Sequence, residues 1–173
     1  MPTALILGGA NCLEADRAEA LKLFTPDLVI ACNHAGRDEP GRLDHWATMH
    51  PELYPKWLAD RQAAGRPSPG KLWHAEHRRR CLVESEAISS WGGSSGLLCV
   101  RVAIELGCEK IVLAGVPMRK GFEHYDRAGP WLEAVQYHNN WRRRLPVMRG
   151  RVRSFSGWTA ELLGRPTKEW IDG

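Results

Sequence analysis

Small and polar residues gather where the apolar runs of this chain end. Gly8-Gly9-Ala10-Asn11 follows the run Thr3 to Leu7, Asn33-His34 follows Leu28 to Cys32, and His50 follows His45 to Met49. A fourth stretch, Gly115 to Tyr125, follows Lys110 to Ala114. Glycines let backbone N–H groups approach a ligand closely, and a helix N-terminus behind such a turn favours anions. Gly92-Gly93-Ser94-Ser95-Gly96 is the more specific segment. Two hydroxyls at a helix start can bind a phosphate, ribose or carboxylate through side chain and backbone together. Neither glycine segment has the spacing of a dinucleotide fingerprint, a Walker phosphate loop or a nucleophile elbow. A tight turn after a strand and a plain helix cap are the purely structural uses of the same residues.

Histidine supplies the proton chemistry. A general base needs an imidazole near its free pKa in a cleft, oriented by a carboxylate. His124, within Phe122-Glu123-His124-Tyr125-Asp126, meets the sequence part of that requirement; the competing use is a surface histidine. His74-x-Glu76-His77 lacks metal-ligand spacing and the five cysteines include no CxxC, so no metal site is expected. His138, in mid-helix, is expected to be structural or exposed.

These residues need a scaffold that brings strand ends together. Apolar runs without alternation are what strands covered on both faces look like. They are expected at 3–7, 28–32, 45–49, 71–75, 110–114 and 152–155. Between them fall helices: one carrying Leu13, Arg17, Ala20, Leu21 and Phe24 on one face, and one from Pro51 to near Gly65. Another carries Leu97 to Leu106 behind a serine cap, and others span Pro130 to Arg144 and Thr159 to Leu163. Asp38 to Arg42 is expected as loop, and Glu76 to Ser90 shows no pattern that assigns it. Strands alternating with helices predict an α/β, three-layer Rossmann-like fold with a largely parallel sheet, a single domain over residues 1–173. Ligands of such sheets bind outside the carboxyl ends of the strands, so the four segments and the Gly92–Gly96 loop should converge.

Composition sets the limits. The chain has 173 residues, enough for one core, with 43% hydrophobic and 25% charged content typical of a globular protein. No apolar run approaches the roughly 20 residues of a membrane span. The start Met1-Pro2-Thr3 lacks a basic leader, which points to a cytoplasmic protein with no membrane partner. The cysteines sit in apolar or small-residue surroundings and are expected as small hydrophobes rather than a disulfide framework. The net charge of +4 is concentrated in arginine clusters at Arg78-Arg79-Arg80, Arg142-Arg143-Arg144 and Arg149, Arg151, Arg153. Such clusters suit phosphate-bearing partners or simply form solvated faces, leaving nucleic acid open as a partner without favouring it. Of eight tryptophans, Trp46, Trp57, Trp131, Trp141, Trp158 and Trp170 most simply complete the core or a subunit contact, which leaves a homo-oligomer open; Trp91, beside the glycine-serine loop, is the candidate to flank a ligand, with core packing as its simpler use.

Ile6-Leu7-Gly8-Gly9-Ala10-Asn11-Cys12-Leu13-Glu14 resembles the opening glycine loop of the bacterial CMP-sugar sialyltransferases and of the related MptE-like 6-hydroxymethylpterin pyrophosphokinases. Cys32-Asn33 stands where those sialyltransferases end a strand in Cys-Asn, and His50-Pro51 where they have Asn-Pro. Ser94-Ser95-Gly96 resembles their Thr-Ser-Gly helix start, and Leu106-Gly107 with Ile111-Val112-Leu113-Ala114-Gly115 resembles the strand that follows. Gly92 and Pro117 replace the arginine and aspartate of that pattern, and the acidic pair of the metal- and ATP-using pyrophosphokinases is missing. The likeness covers about half the chain, on the scale of a fold-level resemblance. It implies that Gly8, Gly9, Asn11 and Asn33 contact a nucleotide, and Ser94 and Ser95 its ribose or phosphate. It also implies that His50 lies at the site, that Tyr125 neutralises a departing phosphate, and that His124 is the catalytic histidine.

The expectation is therefore a nucleotide-binding, transferase-like protein. It would be a small glycosyltransferase-type enzyme with a nucleotide or nucleotide-sugar as substrate and no tightly bound cofactor. The alternatives are a non-catalytic nucleotide- or phosphate-binding module of the same fold, or a nucleic-acid-associated accessory protein.

Overall fold

Every residue of the first apolar run after Thr3 is buried, and successive side chains serve opposite layers. In β1 (Thr3–Leu7), Ala4 and Ile6 join one core cluster and Leu5 and Leu7 the other. The same two-sided burial recurs in β2 (Leu28–Cys32), β3 (His45–Thr48), β4 (Lys71–Ala75) and β6 (Lys110–Ala114). Two shorter strands, β5 (Glu86–Ile88) and β7 (Val152–Ser154), close the edges. The computed structural model describes residues 1–78, 81–126, 129 and 131–173. Among these, seven strands form one sheet in the order β5-β4-β3-β2-β1-β6-β7, parallel at every pairing.

Helices cover both faces. One layer contains α4 (Ser95–Glu105) and α5 (His138–Met148), which bury Leu97, Leu98, Val102, Trp141 and Met148 against Ile6, Ile30, Ala47 and Leu113. The opposite layer contains α1 (Leu13–Leu23), α2 (His34–Asp38) and α3 (Tyr54–Ala63), with Tyr54 and Trp57 packed on Trp46. Two short helices, α6 (Gly157–Leu163) and α7 (Lys168–Asp172), finish the chain. The result is the three-layer α/β fold expected, and none of the described helices is long and apolar enough to cross a membrane.

From β1 the chain steps outward to β5, then crosses to β6 on the other side of β1. Strand order therefore reverses between β1 and β6, where an open α/β sheet leaves its crevice. The backbones stay close beyond the strand ends: Gly8 N–H donates to Ala114 O at 2.8 Å and Ala10 N–H to Gly115 O at 3.1 Å. A Cβ on Gly8 would collide with the Gly115 carbonyl. Asp16, buried in α1, accepts the Gly115 N–H at 2.9 Å and the Ser156 hydroxyl, tying α1 to β6 and to the start of α6.

Several expectations need correction. On α1, Leu21 is 51% exposed and Asp16 takes the inward position, because that helix faces a polar strand end as well as the core. The helix expected over Pro130 to Arg144 breaks up: Pro130 lies outside the described residues, Leu132–Val135 is a 3-10 turn, and α5 begins at His138. It runs on to Met148 with Pro146 inside it, at the cost of the backbone hydrogen bond that residue cannot donate. Arg79 and Arg80 also lie outside the described residues. Glu76 to Ser90 adds β5, of which only Ile88 is buried. Arg142, Arg144 and Arg153 each lie over a tryptophan ring, Trp158, Trp91 and Trp170 respectively.

Arg61 holds the α2 side together. It is 2% exposed, and its guanidinium donates to four backbone carbonyls: Pro67 at 2.7 Å, Gly36 at 2.9 Å, Glu39 at 2.5 Å and Gly41 at 3.2 Å. A lysine has one nitrogen for four acceptors and lacks the planar fork. Arg61→Lys and Arg61→Met should each cost about 3 kcal/mol or more, read from urea unfolding. His45 sets an acid limit. The Trp73 indole donates to its Nδ1 at 3.1 Å, which requires that nitrogen unprotonated. Burial, aided by Lys71 and opposed by Asp44, holds its pKa below the ordinary 6.5. The unfolded chain then takes up the proton first, so this contribution is present above about pH 6.5 and is lost as pH falls through the lower folded value. The urea midpoint should drop between about pH 7 and 5, and less steeply in His45→Gln.

Candidate functional site

A cavity of about 420 Å³ opens outside the carboxyl ends of β1, β2, β3 and β6, at the reversal of strand order. Gly8 and Gly9 line it after β1, Cys32 to His34 after β2, and Gly115, Val116 and Met118 after β6. The start of α4 forms one wall, while Trp131, Glu133 and Tyr137 form another. The sequence-expected convergence of strand ends is thus the place where the fold leaves space.

The α4 wall combines capping and exposure to the cavity. Ser94 Oγ accepts the Leu97 N–H at 3.4 Å as N-cap, and Ser95 Oγ accepts the Met49 N–H at 3.4 Å. Both serines are buried and both line the cavity. Gly96 allows the helix to sit against the β6 end, since a Cβ there would lie 2.9 Å from Val116 Cγ1. Eleven residues of helix therefore direct their N-terminus, with its unpaired N–H groups and partial positive charge, at the cavity.

Asn33 occupies a backbone conformation that side-chain-bearing residues rarely adopt, φ 49° and ψ −128°. Three bonds hold it there: Trp46 Nε1–H and Gly36 N–H donate to its carbonyl at 2.9 and 3.1 Å, and Thr48 Oγ1–H to its side-chain oxygen at 2.7 Å. Strain that neighbouring structure over-determines is common at ligand sites.

At the opposite end stand the histidines. The loop after β6 lies across the glycine turn, with Asn11 N–H donating to Glu123 O and Tyr125 N–H to Gly9 O, both at 2.9 Å. This places the His124 imidazole over Gly9, where a Cβ would collide with Nε2. His124 Nδ1 lies against Asp126 Oδ1, and His34 Nδ1 is 3.2 Å from Asp126 Oδ2. The two rings meet edge to face at 5.5 Å, and His34 also sets its edge on Trp57. Burial lowers the His34 pKa, against the opposing pull of Asp126. Such a set can orient an imidazole as proton acceptor, and its two imidazoles and carboxylate are also the donors of a metal.

Of the sequence-expected residues, Gly8, Gly9, Asn33, His50, Ser94, Ser95 and His124 all line the cavity. His50 stands at the mouth, half exposed, with Nδ1 3.6 Å from Glu52. Asn11 is exposed, and neither it nor Tyr125 is part of the lining. The Tyr125 hydroxyl donates to Asp38 Oδ2 at 2.8 Å, and burial followed by that contact pushes the phenol pKa well above its ordinary value. Trp91 also stands outside the lining, beneath Arg101 and Arg144. His138 is structural, stacked on Trp158 and bonded to the Met118 carbonyl. Sequence reasoning placed His34 only within a converging strand-end segment and gave no site role to Trp57, Glu133 or Tyr137; all four line the cavity. The signal for His34 was its place directly after Asn33 at a strand end. Among the described lining residues there is no lysine or arginine.

No protein-family model matches this chain, and no curated protein matches it at a significant level.

The strain at Asn33 has a measurable consequence. Asn33→Gly relieves the backbone cost while losing the Thr48 bond, so its thermal transition should imply a change within about 1 kcal/mol. Asn33→Leu keeps the strain and loses the bond, and should be destabilised by about 2 kcal/mol or more.

Proposed function

We propose that this protein binds a nucleotide-linked donor in the cavity and transfers the donor's group to an acceptor, as a small glycosyltransferase-type enzyme. One observation carries the reading. A glycine turn, the serine-capped start of an eleven-residue helix and an imidazole–carboxylate pair line one cavity at the switch point of a parallel sheet. A volume of about 420 Å³ lies within the usual span of small-ligand pockets. The donor phosphate sits at the α4 N-terminus, where Ser94, Ser95 and backbone N–H groups meet it. The nucleoside lies along Asn33 and the glycine turn. The acceptor oxygen attacks the donor carbon, and the bond from that carbon to the phosphate oxygen breaks with its electron pair on the departing nucleotide. The acceptor's proton leaves toward the His124–Asp126 end.

A second reading, a nucleotide-binding module without turnover, is favoured by the lack of lysine and arginine among the described lining residues, since a departing phosphate gains negative charge. Both readings predict nucleotide binding. In a thermal-shift series of CMP, CDP, UDP, GDP, ADP and ATP, with and without magnesium, one nucleotide should stand out. At 100 times its Kd it adds about 2.7 kcal/mol. A flat series would sink both readings. Incubating the corresponding nucleotide-sugar should release free nucleotide, and His124→Ala should abolish that release while keeping most of the thermal shift. Binding with no release from any donor would leave the module.

A further inference from the structure

We propose that His34, His124 and Asp126 form a site for one divalent transition-metal ion of zinc type at the inner end of the cavity. The donor atoms come from two segments, the start of α2 and the loop after β6, and all lie within 4.8 Å of one another. All three residues line the cavity. Each imidazole turns Nδ1 toward a different oxygen of the same carboxylate: His34 toward Oδ2 at 3.2 Å and His124 toward Oδ1. Ligands held about 2.0–2.2 Å from a shared ion stand roughly 3 to 3.5 Å apart, so donors that lie within 4.8 Å of one another draw together to close on one. An acid–base pair requires one imidazole on its carboxylate, and here there are two. Two histidines and a carboxylate on one side of an ion leave its other positions for water or a substrate oxygen.

The surroundings suit a cation there. Arg37 Nη2 is 3.6 Å from Asp126 Oδ2, but its guanidinium is held more closely by Asp38, at 2.8 and 2.6 Å. Asp38 is in turn bonded by Tyr125 and approached by Arg66 at 3.4 Å, so this one carboxylate draws both guanidiniums away from the donor set. Among the described lining residues no lysine or arginine can neutralise an anionic ligand. An ion at the histidine end supplies that charge. The site itself rests on donor geometry; only its use, meeting negative charge at the end of the ligand away from α4, rests on the nucleotide reading. With an ion bound, His124 acts as a ligand and not as a base.

The test is a titration of the chelator-stripped full chain with Co²⁺ and Zn²⁺, followed by calorimetry and by the visible absorption of bound cobalt. One ion per chain is expected, with zinc displacing cobalt. Affinity should fall about 100-fold in both Asp126→Asn and His34→Gln, and should be unchanged in His77→Ala, an exposed histidine outside the cavity. Circular dichroism checks that each variant folds; if Asp126→Asn does not, His34→Gln decides. Equal uptake by wild type and His34→Gln, or no uptake by wild type, overturns the site. Repeating the nucleotide series in chelator separates the two proposals. A nucleotide shift without metal uptake removes the metal site alone, and metal uptake with a flat nucleotide series removes the nucleotide reading alone.

Discussion

Where β1 and β6 part, the backbones run so close that no side chain fits between them. A Cβ on Gly8 would fall on the Gly115 carbonyl, and one on Gly115, at φ 71°, would sit 2.9 Å from Leu13 Cβ. Hydrogen bonds continue past the ends of both strands, from Gly8 to Ala114 and from Ala10 to Gly115. The rest of the site is positioned from this seam. Asp16 reaches from α1 to the Gly115 amide, and the β6 loop folds back onto Asn11 and Gly9 through backbone bonds. His124 is therefore located by main-chain pairing, before any contact of its own ring. The two glycines of the turn do separate work: Gly8 lets strands approach, and Gly9 makes room for an imidazole.

Much of the scaffold was legible because its signal is local. Unbroken apolar runs bounded by glycine, proline or asparagine gave five interior strands, and the Ser94 cap with its apolar helix gave α4. Short elements escaped: α2, α7 and β5 have five, five and three residues, too few to show a period. The floor of the site was equally readable, since Gly8, Gly9 and Asn33 follow directly from the ends of parallel strands and Ser94 and Ser95 start an apolar helix. At its histidine end His124 was readable and the three-residue set was not. His34 at the start of α2 and His124 in the β6 loop are far apart in sequence, and the pairing of that loop with the glycine turn brings them to one carboxylate. Ligand-spacing rules work within one segment, so they were blind to this set. Tyr125 illustrates the reverse. It neighbours His124 in sequence, yet its hydroxyl turns to Asp38 and takes no part in the cavity lining.

The arrangement of positive charge narrows what the cavity can recognise. Arginines are plentiful around it but engaged elsewhere. Arg37 is bonded to Asp38, Arg61 to four carbonyls, and Arg66 to the Arg37 carbonyl. Others lie over tryptophan faces, where a weakly hydrated guanidinium covers apolar surface. Fixed guanidinium forks, the usual partners of a phosphate, thus contribute nothing among the described lining residues. Among the described residues two sources remain, at opposite ends: the α4 N-terminus, whose partial charge is permanent, and the histidine set, whose charge depends on a proton or a metal ion. An anionic ligand spanning the cavity would feel a constant attraction at its α4 end and a conditional one at the other. On the proposed reading, such a site would favour a ligand whose charge stays at the helix over one whose charge must reach the imidazoles.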